Sequence, residues 1–161
     1  KKVIKLIHRF FLKEFVNIIN KYINQFKIKN YFMKLKSSFK DDRGEIIDIF
    51  VKSPKDHCSI ITSTKGAVRG NHFHKKSTQF TFIISGRFKL YRATVDDEGN
   101  LKEKVRIDII EKNELIEHPP YESHTLVADT DEAVLLAFAC GTRGGNFYEK
   151  DTFRLKKKLN I

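Results

Sequence analysis

The stretch Ala67–Gly86, AVRGNHFHKKSTQFTFIISG, decides how this chain is read. His72 and His74 are separated only by Phe73. Side chains alternate faces along a strand, so both imidazoles point to one side, their Cα atoms about 6–7 Å apart. Lys75, Lys76, Ser77 and Thr78 read as a polar turn. The run Gln79-Phe80-Thr81-Phe82-Ile83-Ile84-Ser85 then alternates as a buried strand does and stops at Gly86. If the two strands pair, Gln79 returns to the face that carries the histidines. A third histidine follows much later, in Pro119-Pro120-Tyr121-Glu122-Ser123-His124.

Around this stretch the chain is built of short apolar runs broken by turn residues. Asp41-Asp42-Arg43-Gly44 is a turn, and Glu45–Val51 follows as a strand, broken by Ser53-Pro54. Further strands are expected at Cys58–Ser63, Arg87–Val95, Lys104–Ile110, around Leu115 and Ile116, at Thr125–Ala128 and at Ala133–Ala139. The last of these is apolar enough to be central. Asp96–Asn100 is a hairpin loop. Nine or ten short strands with almost no helix predict an antiparallel sandwich or barrel.

Residues 1–38 differ in character. They hold ten Lys or Arg and one acid, a net charge of +9, whereas the other 123 residues carry only +2 of the total of +11. The main body therefore gives no charge-based case for nucleic-acid binding. Val3, Ile4, Ile7, Phe11, Phe15, Ile18, Ile19, Tyr22 and Phe26 recur at helical spacing among the basic residues, which predicts a basic amphipathic helix. Charges interrupt it too often for a membrane span, and no signal-peptide pattern is present. Three readings of the segment stay open: a helix packed on its own domain or a partner, contact of residues 1–30 with an acidic membrane surface, or an extension foreign to the natural product, since the single methionine is Met33. The organisation expected is thus a helical extension over 1–38 and one domain over 39–161. Cys58 and Cys140 lie in apolar runs without metal or disulfide spacing and read as core thiols of a reducing, cytoplasmic compartment.

Two separated motifs resemble those of the cupin superfamily. The first is Gly70, His72, His74, Gln79 and Gly86, with Gln where Glu is usual. The second is Pro119-Pro120-Tyr121-Glu122-Ser123-His124, with Tyr in place of Gly. The resemblance spans roughly residues 40–155 and implies a double-stranded β-helix, the jelly-roll barrel. Arg69-Gly70-Asn71-His72-Phe73-His74-Lys75-Lys76 is similar to a stretch of nucleotide-sugar 3,4-ketoisomerases, which also place Gln after it. Asp42-Arg43-Gly44 resembles the opening of related epimerases. Lys150-Asp151-Thr152-Phe153 resembles the end of cupin domains of capsular-sugar enzymes, which hold zinc.

The resemblance implies an isomerase or epimerase of a nucleotide-linked 4-keto sugar, acting by proton abstraction in polysaccharide biosynthesis. A base near the carbon acid is needed, and histidine titrates in the right range. His72 and His74 are the candidates, with Tyr121 beside them. Arg69, Asn71, Lys76 and His124 are the candidate substrate contacts, Arg69 facing the diphosphate. The same residues read as a metal site: His72, His74, Gln79 and His124 suit zinc, iron, manganese or nickel. A neutral Gln leaves the full charge of the ion uncompensated and weakens its binding. His118 reads as a loop residue. A metal-dependent dioxygenase or isomerase, and a sugar-binding module without catalysis, are the alternatives. A homodimer through the barrel sheets is expected.

Overall fold

The histidine strand and the Gln79 strand do not pair; they lie in different sheets. In the computed structural model, which describes residues 32–140, 150–157, 159 and 161, the former is β5 (Val68–Phe73) and the latter β6 (Thr78–Ser85). One five-stranded sheet holds β1 (Phe32–Lys34), β9 (Glu114–His118), β6, β11 (Glu132–Cys140) and β4 (His57–Thr64), in that order. The other holds β12 (Phe153–Arg154), β5, β10 (Glu122–Ala128), β7 (Arg87–Thr94) and β8 (Arg106–Glu111). β2 (Phe39–Asp41) and β3 (Gly44–Ile46) form a small separate hairpin. Every pairing within these sheets that carries the register of the site is antiparallel. The expected all-β jelly roll is present. The amphipathic helix, expected over about residues 2–27, lies outside the described residues.

The two sheets face one another over Ile83, Phe88, Leu90, Ile110, Ile116, Leu126 and Leu135, all buried. Alternation along each strand explains the set: Ile83 on β6 and Leu135 on β11 point inward, whereas their neighbours Phe82, Ile84 and Leu136 point outward. β11, the most apolar strand, is flanked by β6 and β4 as its composition demands. A second cluster of Phe73, Val95 and Leu155, with Tyr121, Phe153 and Leu159 against it, packs on the other side of β5.

Three expectations need correction. The strand expected over Glu45–Val51 ends at Ile46. The residues after it cross the outer face of the first sheet, where the Phe50 ring sits edge-on to Phe80 and Phe138 at 5.3 and 4.8 Å. The Lys55 ammonium lies 4.0 Å from the Phe50 ring centre. Burying one aromatic on an apolar sheet face outweighs extending an isolated hairpin, which has no further partner strand. The cysteines are not core thiols: Cys58 is exposed and Cys140 half-buried. Cys58 pairs with Phe138 on the outward side, so an apolar run was mistaken for an inward position. His118 is not in a loop; it closes β9 and is 1% exposed.

Candidate active site

β5 carries the site and needs a local irregularity to do so. His72 is paired with His124 and Gly70 with Thr125, so Asn71 is an extra residue on β5. Gly70 and Asn71 both take positive φ, 79° and 58°. A Cβ on Gly70 would stand 2.6 Å from the His124 carbonyl oxygen. Only glycine lets β5 approach β10 this closely. The bulge turns His72 toward His124, and bulges are a common device for re-aiming a side chain.

His72, His74 and His124 are all buried, and one ring nitrogen of each lies within 4.8 Å of the other two. Ring centres are 5.0 Å apart for His72 and His74, and 4.7 Å for His72 and His124. Each Nδ1 meets a backbone carbonyl: Gly70 at 3.1 Å for His72, Asp151 at 2.7 Å for His74 and Glu122 at 3.4 Å for His124. A carbonyl only accepts, so each Nδ1 carries its proton and Nε2 is the atom each ring offers. His124 Nε2 is buried without a hydrogen-bond partner. His74 Nε2 lies 3.2 Å from the Gln79 amide oxygen. With Nδ1–H on the Asp151 carbonyl, Nε2 accepts from Gln79 when the amide is turned so that its NH₂ faces the ring.

Beside the cluster opens a cavity of about 260 Å³. His72, His124, Gln79 and Thr81 are its polar lining residues beside Arg69; Leu126 and Leu135 are among the apolar ones. His74 is absent from that lining. Arg69 lines it as an exposed residue, its Nε donating to Ser63 Oγ at 3.0 Å and its Nη2 to the Thr62 carbonyl at 2.7 Å. These bonds hold the guanidinium in place while leaving it open to solvent.

Other residues singled out from the sequence lie elsewhere. Tyr121 packs with Phe73 in the second cluster, and its hydroxyl donates to Asp97 at 3.0 Å. The hydrogen bond to the Asp97 carboxylate pushes the Tyr121 phenol up, and the residue is not among those lining the cavity. Its backbone does serve the site, donating to the His74 carbonyl at 2.7 Å. Asn71 sits in the bulge with its side-chain oxygen buried and without a hydrogen-bond partner. Lys76 is exposed and contributes its backbone N–H to Asp151.

Two neighbours of the cluster escaped the sequence reading. His118 stacks on His124 with ring centres 4.3 Å apart, and its Nε2 meets Thr81 Oγ1 at 3.2 Å. Glu122 lies 3.8 Å from His118 Nδ1 and accepts from Arg106 at 3.1 Å. Burial pushes the His118 imidazole down despite Glu122. Burial, followed by His118, His72 and His74, pushes His124 well down. The signal was available: His118 is two residues after inward Ile116, so period-two alternation aims it inward.

The barrel with its inward histidines has the cupin fold, which the solved structures it matches share. Sugar 3,4-ketoisomerase QdtA from Thermoanaerobacterium thermosaccharolyticum, in complex with TDP, is 21% identical with a TM-score of 0.62, the match covering 78% of this chain and 87% of that one. A dTDP-4-dehydrorhamnose 3,5-epimerase from Sulfolobus tokodaii is 19% identical with a TM-score of 0.63, over 75% and 73% of the two chains. Capsular polysaccharide assembling protein CapF from Staphylococcus aureus is 23% identical with a TM-score of 0.54, covering 76% of this chain but 34% of that one. No curated protein matches the chain in sequence. Residues 39–153 match the family described as polysaccharide biosynthesis C-terminal domain, and the chain belongs to that family. Among the described residues no helix is long and apolar enough to cross a membrane.

Proposed function

We propose that this protein isomerises or epimerises a nucleotide-linked 4-keto sugar by histidine-mediated proton abstraction. The observation that carries the reading is the pairing of His72 with the cavity: its Nδ1 is committed to the Gly70 carbonyl, which leaves Nε2 as the basic atom, and the ring lines the cavity wall. The sugar ring occupies the cavity, with its apolar face on Leu126 and Leu135. The diphosphate lies outward at Arg69, whose fixed guanidinium meets it with charge-assisted hydrogen bonds.

His72 Nε2 takes the proton from the carbon next to the carbonyl. The C–H electron pair forms the new carbon–carbon double bond, and the carbonyl π pair moves onto oxygen as an enediolate. A proton then returns either to the opposite face of the same carbon, which epimerises it, or to the former carbonyl carbon, while the hydroxyl proton of the carbon that was deprotonated passes to the old ketone oxygen, which moves the ketone. His74, 5.0 Å from His72, is the second group able to carry that proton. Relatives of the same fold include a ketoisomerase solved with TDP-4-keto-6-deoxyglucose as a His→Asn variant, which supports the substrate class.

The donor set also fits a divalent metal: three imidazoles with Nδ1 on carbonyls, a buried Nε2 without a partner on His124, and an amide oxygen on Gln79. Backbone acceptors on the far ring nitrogen are the usual support of metal-bound histidine. His72, His74, His124 and Gln79 would hold zinc, iron, manganese or nickel, which supplies Lewis-acid stabilisation of the enediolate oxygen. An imidazole whose Nε2 is a ligand is not a base, so the two uses of His72 exclude each other. The test is turnover of a TDP-4-keto-6-deoxy sugar in D₂O, with metal content measured on the same preparation. Deuterium entering the ring carbons supports the proposal. Tight sugar binding without deuterium uptake indicates a binding module, and oxygen uptake with a tightly held metal indicates a dioxygenase.

The outer sheet faces leave Ile60, Ile107 and Ile109 exposed, at 68%, 59% and 48%. These support a homodimer through the sheets as part of the same proposal.

A further inference from the structure

We infer that Asp151 is a positioning residue for His74: its side chain closes the turn that follows the histidine, and its main chain orients the ring. The carboxylate accepts three successive backbone N–H groups. Oδ1 takes Lys75 at 3.0 Å and Lys76 at 3.2 Å, and Oδ2 takes Ser77 at 2.8 Å. The carbonyl oxygen of the same residue accepts from His74 Nδ1 at 2.7 Å. Asp151 is 5% exposed.

This contact arises from strand pairing across the sequence. β12 pairs antiparallel with β5, Phe153 opposite Phe73 and Arg154 opposite His72. Continuing that register by two residues brings Asp151 level with Lys75, where β5 has ended and the chain turns. Successive N–H groups of a turn form a small concavity of positive potential that suits a carboxylate. Their satisfaction depends on both carboxylate oxygens, because buried N–H groups without acceptors are costly. Asn at this place would turn an NH₂ against donors, and Ala would leave all three without an acceptor. The turn and the Asp151 peptide would then separate, and the 2.7 Å bond to His74 would go with them.

The consequence is chemical. With Nδ1–H tied to Asp151, the His74 ring is held so that Nε2 faces Gln79 and the cluster. Without the tie the ring rotates and either nitrogen carries the proton. Asp151, 77 residues further along the chain, therefore sets which atom of His74 the cluster sees. The role in catalysis rests on the proposed function; the tie itself does not.

The experiment uses the full chain, labelled with ¹⁵N, as wild type, Asp151→Asn and Asp151→Ala. Imidazole ¹⁵N–¹H spectra report which nitrogen of each histidine holds a proton and how fast that proton exchanges with water. Thermal unfolding of each variant shows whether it is folded. In the wild type, His74 shows a protected Nδ1–H. In folded Asp151→Ala that proton exchanges at least about tenfold faster, while Nδ1–H of His72, bonded to Gly70, keeps its protection. If Asp151→Ala does not fold, Asp151→Asn is read instead, with faster exchange confined to His74 as the expected result. A folded variant whose His74 proton is as protected as in the wild type overturns the assignment. A His74 response in the Asp151 variants, together with a wild type that exchanges no sugar proton, removes the proposed function and leaves the positioning role in place.

Discussion

The ring of His118 lies stacked on that of His124, centres 4.3 Å apart and planes 25° from parallel. A fourth buried imidazole thus backs the three that share the site. His118 is itself held, by Thr81 at Nε2 and by the Glu122 carboxylate 3.8 Å from Nδ1. Glu122 also gives His124 its backbone acceptor. His124 is therefore constrained on its face and at its Nδ1 by His118 and Glu122, neither of which lines the cavity.

Replacing His118 tests that support. His118→Ala leaves a cavity against His124 and removes partners of Thr81 and Glu122, and is expected to destabilise the fold by about 2–4 kcal/mol. His118→Phe keeps the stacked ring but not the polar contacts, and is expected to cost about 1–3 kcal/mol. Urea unfolding of both measures this. Equal stability of His118→Ala and wild type would mean the stack carries no load.

Acid should destabilise the fold through the same pair. The folded state holds His118 and His124 below the ordinary imidazole value of 6.5, burial being the largest cause for both. The unfolded chain takes up protons near that value, so below it the unfolded state binds more protons. Stability therefore rises with pH across this window and is lost as pH falls from about 7 toward the depressed folded values. The melting temperature is expected to be lower at about pH 5 than at about pH 7.5. A melting temperature unchanged or higher at the acid end contradicts this.

His72 and His74 differ in their relation to the cavity, so their variants should differ too. His72→Asn is expected to slow deuterium uptake into the sugar by about 10²–10⁴-fold. His74→Asn should have a smaller effect, since His74 does not line the wall. Uptake at the wild-type rate in both would remove the histidines from the chemistry.

Gln79→Glu replaces a neutral ligand by an anion at the metal-type donor set. The expected outcome is zinc affinity raised by at least about tenfold, because ligand charge is a main control of cation affinity. Competition with a chromophoric chelator measures it. Identical affinity in the two proteins would show that residue 79 does not face the ion.

The exposed apolar residues on the outer sheets predict association. Light scattering at tens of micromolar is expected to return twice the 18.8 kDa of one chain. A mass of 18.8 kDa would dispose of the dimer.

Much of this protein was legible in the sequence because alternation is a local property. Period two marked the strands, aimed His72 and His74 to one side, and made β11 central from its composition alone. The three histidines and Gln79 could be grouped by motif before any coordinates. Tertiary structure decided the rest, because period two states that residues share a face and not which sheet that face belongs to or what covers it. β5 and β6 were adjacent in sequence yet went to facing sheets, so Gln79 reaches His74 across the barrel and not along a ladder. Cys58 looked like a core residue, and its register opposite outward Phe138 exposed it. Tyr121 stood inside the second motif, but its positive φ of 62° sent it to Phe73 and Asp97. Asp151 meets His74 across a separation of 77 residues. Only the pairing of β12 with β5 brings those two together, and no pattern within either segment encodes the distance between them.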